Sequence, residues 1–286
     1  MRFQKTIKDA VSFEGKGIHS GDDVRLVIKN APVDTGVIFI RTDLKERPSI
    51  AANVENLAEY SGELRCTSIE KGGASVNTIE HLMAALGNLN IDNAVVEIDN
   101  QELPAMDGGA LDYALNIRKT GIVKQDKEKK EFRLKEAVWC RSAGSLLTAI
   151  PSEELEISYL LKYDDLSYMT QCAHFSLGAS KDREEMFTKE IAPARTFCLE
   201  RELAHILDRG LGKGGDYRNS LILRGVDGSP IENEFLFSNE PARHKIVDLM
   251  GDLALLNVDI KAHIIGIRSG HSLNKELLKR LTRLMD

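Results

Sequence analysis

The segment Arg243–Asp252 places His244, Asp248 and Asp252 at successive four-residue steps. On an α-helix, residues four apart share a face. An imidazole and a carboxylate so placed can ligate one metal ion, as the paired histidines of a zincin helix do. The intervening Ile246, Val247, Leu249, Met250 and Leu253 are apolar. The polar groups are therefore expected to point into a packed interior, where charge needs a partner. A metal would supply one. A surface helix with an ordinary His/Asp pair has the same spacing.

An internal repeat adds a third group. Leu82–Asp92 matches Leu249–Asp259 at a constant offset of 167 residues, and both stretches end in Leu-Asn-Ile/Val-Asp. Apolar helices resemble one another by chance, but the shared exit favours a duplicated unit. At this offset His81 corresponds to Asp248. Two such units packed about a pseudo-twofold axis would bring His81 to the His244/Asp248 face. Two imidazoles and one carboxylate leave a position for water, which marks a catalytic rather than a structural zinc site.

Other residues could complete a reaction. Glu80 adjoins His81; a carboxylate beside a metal ligand can deprotonate water. It also stands three residues after Asn77, where a capping box would need it, and the two roles are compatible. His271, in Arg268-Ser269-Gly270-His271-Ser272, is placed as a general acid or simply as a helix-start residue. Asp252 could hydrogen-bond its ring and favour the protonated form. Thr196 could donate to an oxyanion or be a plain turn threonine. His174, His205 and His263 read as structural or surface residues. The glycine-rich stretches at 15–21 and 210–215 lack the Gly-Lys-Ser/Thr ending of a P-loop and read as tight turns or substrate-lining loops.

These residues need elements to hold them. Strands are expected at Val24–Ile28, Val37–Arg41, Ala94–Ile98, Phe132–Trp139, Ser145–Ile150, Leu155–Lys162 and Ala262–Ile267. Helices are expected at Thr78–Asn88 with Asn77 as N-cap, Ala110–Lys119, Leu199–Arg209, Pro241–Leu255 and Ser272–Met285. Without regular βαβ alternation the fold class is α+β. The run 124–131 has no apolar residue and reads as an exposed linker between a first domain, 1–123, and a second, 132–286.

Composition narrows the function classes. The 286 residues are 42% hydrophobic and carry a net charge of −6, which fits a globular protein with no basic field for nucleic acid. No secretory signal and no transmembrane segment are expected. Four cysteines without a CxxC pair suggest a reducing cytoplasm.

At Gly15–Gly21, Asn77–Leu86, Pro104–Gly108, Ala194–Phe197, Arg243–Asp252 and Ser269–Asn274 the chain resembles the UDP-3-O-acyl-N-acetylglucosamine deacetylases, zinc amidases of lipid A biosynthesis. The resemblance implies two similar α+β domains with helices sandwiched between sheets. It implies Zn²⁺ held by His81, His244 and Asp248, a ligand set that Fe²⁺ also suits. It implies Glu80 as general base, His271 as general acid partnered by Asp252, and Thr196 as oxyanion donor. Lys245 would add positive charge near a diphosphate or the developing oxyanion. Ile18, His19 and Phe197 would line the substrate channel, with Arg268 where other members often have lysine. The stretch Leu161–Leu166 departs from the family's Phe-x-His-Pro-like run, though Tyr163 could stack on uracil. The expected partner is a small molecule, an acylated UDP-amino sugar, and the expected state is a monomer. The apolar residues of Ile191–Leu211 are candidates for an acyl passage. A metalloamidase acting on another acylated nucleotide sugar, or a non-catalytic nucleotide-sugar-binding protein, are the alternatives.

Overall fold

A computed structural model describes residues 2–59, 65–163, 166–176 and 182–285, with backbone alone at 166–169. The first half runs β1 (Phe3–Ile7), β2 (Val11–Lys16), β3 (Asp23–Asn30), β4 (Val37–Arg41), β5 (Ser49–Ala51), β6 (Ser68–Lys71), β7 (Ala74–Asn77), α1 (Glu80–Asn88), β8 (Ala94–Ile98) and α2 (Leu111–Lys119). The second runs β9 (Ile122–Glu128), β10 (Glu131–Arg133), β11 (Val138–Ser142), β12 (Ser145–Pro151), β13 (Glu156–Tyr163), β14 (Leu166–Ser176), α3 (Arg183–Glu190), β15 (Thr196–Leu199), α4 (Glu200–Asp208), β16 (Ser220–Leu223), α5 (Glu240–Ala254), β17 (Asp259–Ile267) and α6 (His271–Met285). The class is α+β, as expected.

Two sheets carry the fold, ordered β2-β3-β8-β4-β5 and β11-β12-β17-β13-β14. In each, the third and fourth strands of the path run parallel and every other neighbouring pair is antiparallel. Each central strand follows a buried helix, α1 before β8 and α5 before β17. The turns between helix and strand agree in detail. Asn90 and Asn257, 167 residues apart, both adopt left-handed backbone, φ 58° and 55°. Asparagine tolerates that conformation at a helix end better than other non-glycine residues.

Strand periodicity explains the packing. Alternate residues of β3 (Val24, Leu26, Ile28), β4 (Val37, Phe39) and β13 (Ile157, Tyr159, Leu161) are buried. They join α1 and α5 in one continuous core. A helix buried on nearly all sides, like α1, belongs between layers rather than on a surface.

Three expectations need correction. The run 124–131 is mostly exposed, yet it is not a loose connection. Most of it belongs to β9, which pairs antiparallel with β1, and Glu131 opens β10, which pairs with β17. Lys124 lies 3.7 Å from the Phe3 ring centroid and Lys129 bonds Asp92 at 2.9 Å, so the charges themselves hold the ribbon down. The strand expected over Phe132–Trp139 is two strands, β10 and β11, in separate pairings. The first core helix begins at Glu80. Asn77 ends β7, Thr78 has φ 59°, and Ile79 sits at the N-cap without a side-chain cap.

Candidate active site

Thr78 is the hinge that aims the start of α1. A β-branched residue at positive φ is strained and needs support. Its hydroxyl donates to Glu102 Oε1 at 3.1 Å, and the same buried carboxylate accepts the backbone N–H groups of His19 and Ser20 at 2.9 and 2.8 Å. One carboxylate thus fastens the 17–21 turn to the mouth of α1. Across from it, Gly251 lets α5 lie against the first residue of α1; a β-carbon there would come within 2.0 Å of the Glu80 carbonyl oxygen.

The close approach brings three expected ligands together. Asp248 Oδ1 lies 3.3 Å from His244 Nε2 and 3.6 Å from His81 Nε2. All three residues are buried, and their ligand atoms lie within 4.8 Å of one another. Ligands at about 2.0–2.1 Å around a tetrahedral ion stand roughly 3.3 Å apart, so the donor set fits a metal. The tautomer fits as well. His244 Nδ1 is 2.9 Å from the Ala194 carbonyl oxygen, which can only accept. The proton therefore sits on Nδ1, and Nε2 offers its lone pair. Lys245 Nζ bonds Asp248 Oδ2 at 2.6 Å and leaves Oδ1 facing the histidines.

Two further groups face this cluster. Glu80 Oε1 and Asp248 Oδ2 lie 3.9 and 3.7 Å from His271 Nε2. On the far side of the ring, Nδ1 is 3.3 Å from Asp252 Oδ2. Burial pushes the Glu80 carboxyl up to about 6. Burial opposes charge on His271, but Asp252, Asp248 and Glu80 outweigh it and raise the imidazole to about 9. Burial drives His244 down to about 3, consistent with a neutral ligand. Burial alone would raise Asp248; the field of the Lys245 ammonium instead holds it well below the ordinary carboxylate range. A carboxylate that can accept a proton thus faces an imidazolium that can give one.

The surrounding cavity is about 620 Å³ and suits a sizeable ligand. Among its lining residues are Ile18, His19, Tyr163, Thr196, Phe197 and Arg268, together with Glu80, His81, His244, Asp248, Lys245 and His271. Asp252 stands behind His271 rather than on the cavity wall. Of the departing stretch, Asp164 and Asp165 lie outside the described residues. The apolar wall comes from Leu203, Ile206, Leu207, Leu211 and Ile222. Ile191, Ala192 and Ala194, from the region expected to line a passage, are instead fully buried in the core; they precede the α4 excursion.

Sequence reasoning missed several contributors. Thr67 donates its backbone N–H to Glu80 Oε2 at 3.0 Å. Asn274 donates to Asp252 Oδ2 at 2.7 Å. Arg65, paired with Glu202 at 3.0 Å, lines the cavity. Asp107, raised to about 6 by burial, acts electrostatically on His81. Asp107 lies in the Pro104–Gly108 motif and could have been found there. Thr67 and Asn274 carry no spacing signal.

The profile of the UDP-3-O-acyl N-acetylglycosamine deacetylase family matches residues 4–283. A UDP-3-O-acyl-N-acetylglucosamine deacetylase of Chlamydia caviae is 38% identical over 287 residues, covering 99% of this chain and 98% of its own. Its counterpart in a Nostoc species is 36% identical, with 98% and 99% covered. That of Xanthomonas euvesicatoria is 35% identical, with 98% and 90% covered. Matches of this extent leave no element of the fold outside the likeness, and the chain belongs to the UDP-3-O-acyl N-acetylglycosamine deacetylase family.

Proposed function

We propose that the protein hydrolyses the N-acetyl group of a UDP-3-O-acyl-N-acetylglucosamine, the deacetylation step of lipid A biosynthesis. One observation carries the reading: the His81/His244/Asp248 cluster faces both Glu80 and His271 within a single cavity that continues along an apolar wall. Such a cavity can hold a polar head and an acyl chain together.

His81, His244 and Asp248 would hold a divalent metal, zinc on this ligand set, with iron(II) also suited. When bound, such an ion supplies Lewis-acid chemistry, polarising a carbonyl and making water more acidic. Glu80 takes the proton from the attacking water as its oxygen bonds the acetyl carbon. Thr196, which lines the cavity, donates to the oxyanion that forms, and Lys245 adds positive charge near it. His271 Nε2 gives its proton to the sugar nitrogen, because an amine anion is too poor a leaving group to depart alone. The C–N bond breaks and acetate leaves. Asp252 keeps His271 oriented and charged. Ile18, His19, Phe197, Tyr163 and Arg268 contact the substrate.

The free thiols of Cys66, Cys140, Cys172 and Cys198 support a reducing compartment, the cytoplasm. Among the described residues no helix is long and apolar enough to cross a membrane. The matching topologies of the two sheets support an origin by duplication, with units at 1–123 and 132–286 joined through the ordered β9 and the start of β10.

The test is direct. Purified protein is assayed for metal content and for acetate release from the acylated UDP-sugar. About one metal per chain, with turnover lost on chelation and restored by zinc or iron(II), is expected. A metal-free protein that binds the nucleotide sugar without releasing acetate would overturn the proposal.

A further inference from the structure

Thr67, buried just before β6, touches both proton-handling groups of the site. Its backbone N–H donates to Glu80 Oε2 at 3.0 Å. Its hydroxyl donates to Asp252 Oδ1, a partner 185 residues away. The same oxygen lies 3.0 Å from His271 Nδ1. A hydroxyl has one proton and two lone pairs. With the proton committed to the carboxylate, Thr67 faces the ring only as an acceptor. Asp252 Oδ2, 3.3 Å from the same nitrogen, is an acceptor too, and is itself held by Asn274 Nδ2 at 2.7 Å. Two acceptors converging on Nδ1 require that it carry hydrogen. Nε2 is then the nitrogen turned to the cavity, toward Glu80 Oε1.

We propose that Thr67 is a positioning residue: its hydroxyl, with Asp252, holds the Nδ1 proton and the ring plane of His271, while its backbone aims Glu80. One residue thereby sets the spacing between proton acceptor and proton donor. The inference rests on the roles given above to Glu80 and His271.

Thr67→Val keeps the shape and the backbone N–H but loses the hydroxyl; Thr67→Ser keeps the hydroxyl and loses a methyl group. For the metal-loaded enzyme the expected result is a kcat lowered tenfold or more in Thr67→Val with KM within threefold and metal content unchanged. Thr67→Ser should stay within threefold of the parent in kcat. Independently of substrate, the His271 Nδ1 proton, followed by NMR on ¹⁵N-histidine protein, should exchange with water at least tenfold faster in Thr67→Val and at near-parental rate in Thr67→Ser. A Thr67→Val enzyme with near-parental kcat, or with unchanged Nδ1–H exchange, would overturn the proposal. If Thr67→Val does not fold, Thr67→Ser decides: a folded Thr67→Ser protein with kcat down tenfold or with fast Nδ1–H exchange rules the role out. A parent that fails to deacetylate the UDP-sugar sinks the functional reading, and the exchange measurement still judges Thr67.

Discussion

The Cα of Gly251 faces the carbonyl oxygen of Glu80 so closely that a β-carbon would lie 2.0 Å from it. This contact sets the separation of α1 and α5, and with it the distance from His81 to Asp248. Because the opposing atom is backbone, no rotamer change relieves the clash. Gly251→Ala should therefore force the helices apart, costing about 3 kcal/mol or more and lowering metal occupancy. Urea denaturation and metal analysis check this. A variant with the parental midpoint and one metal per chain would show that the helices can slide.

Glu80→Gln should separate metal binding from chemistry. The amide keeps the shape and can still accept from Thr67 N, but it cannot take a proton at neutral pH. Loss of a positioned general base lowers rates about 10²–10⁴-fold. Metal content should stay near the parental value, because Glu80 is not one of the three converging ligands. Near-normal turnover would exclude Glu80 as the base.

The pH profile follows from the two opposing shifts. Glu80 works as base only when unprotonated, so activity rises as pH passes its value of about 6. His271 works as acid only when protonated, so activity falls as pH passes about 9. A bound dication favours the anionic carboxylate and the neutral imidazole, so both limbs of kcat/KM in the metal-loaded enzyme should lie on the acid side of these values. In the metal-free protein the raised His271 value also favours folding. That contribution is full below its ordinary 6.5 and is lost as pH rises through about 9. His271→Gln should abolish the alkaline limb of kcat/KM. An unchanged limb in that variant would assign it to another group.

Much of the site was legible because helical spacing is a local code. His244, Asp248 and Asp252 follow from four-residue steps, and the 167-residue repeat pointed to His81. The same 167-residue offset separates the left-handed Asn90 and Asn257, and the two sheets share a strand order. What was missed depends on distant packing. Nothing around Thr67 announces contacts with residues 185 and 204 positions away. Asn77 looked like an N-cap because the left-handed turn at Thr78, which delays the helix to Glu80, is supported by Glu102 from another segment. The run 124–131 hid a strand because a mostly exposed two-stranded ribbon needs no apolar alternation; its order comes from Phe3, Asp92 and the β1 backbone.

The apolar wall predicts selectivity for the acyl chain. No residue of α4 is buried, yet Leu203, Ile206 and Leu207 all line the cavity. The apolar face of α4 is thus spent on the cavity rather than on the core. Leu207 is 48% exposed, so a charge there should leave the fold intact. Leu207→Glu would place a carboxylate where a chain must desolvate its methylenes, each worth about 0.8 kcal/mol on burial. The expected effect is a KM at least tenfold higher for a long 3-O-acyl substrate and nearly unchanged for a 3-O-acetyl analogue, with kcat similar for both. Chain-length series on parent and variant make the comparison. An equal rise in KM for the short analogue would place the acyl chain elsewhere and leave α4 lining only the sugar.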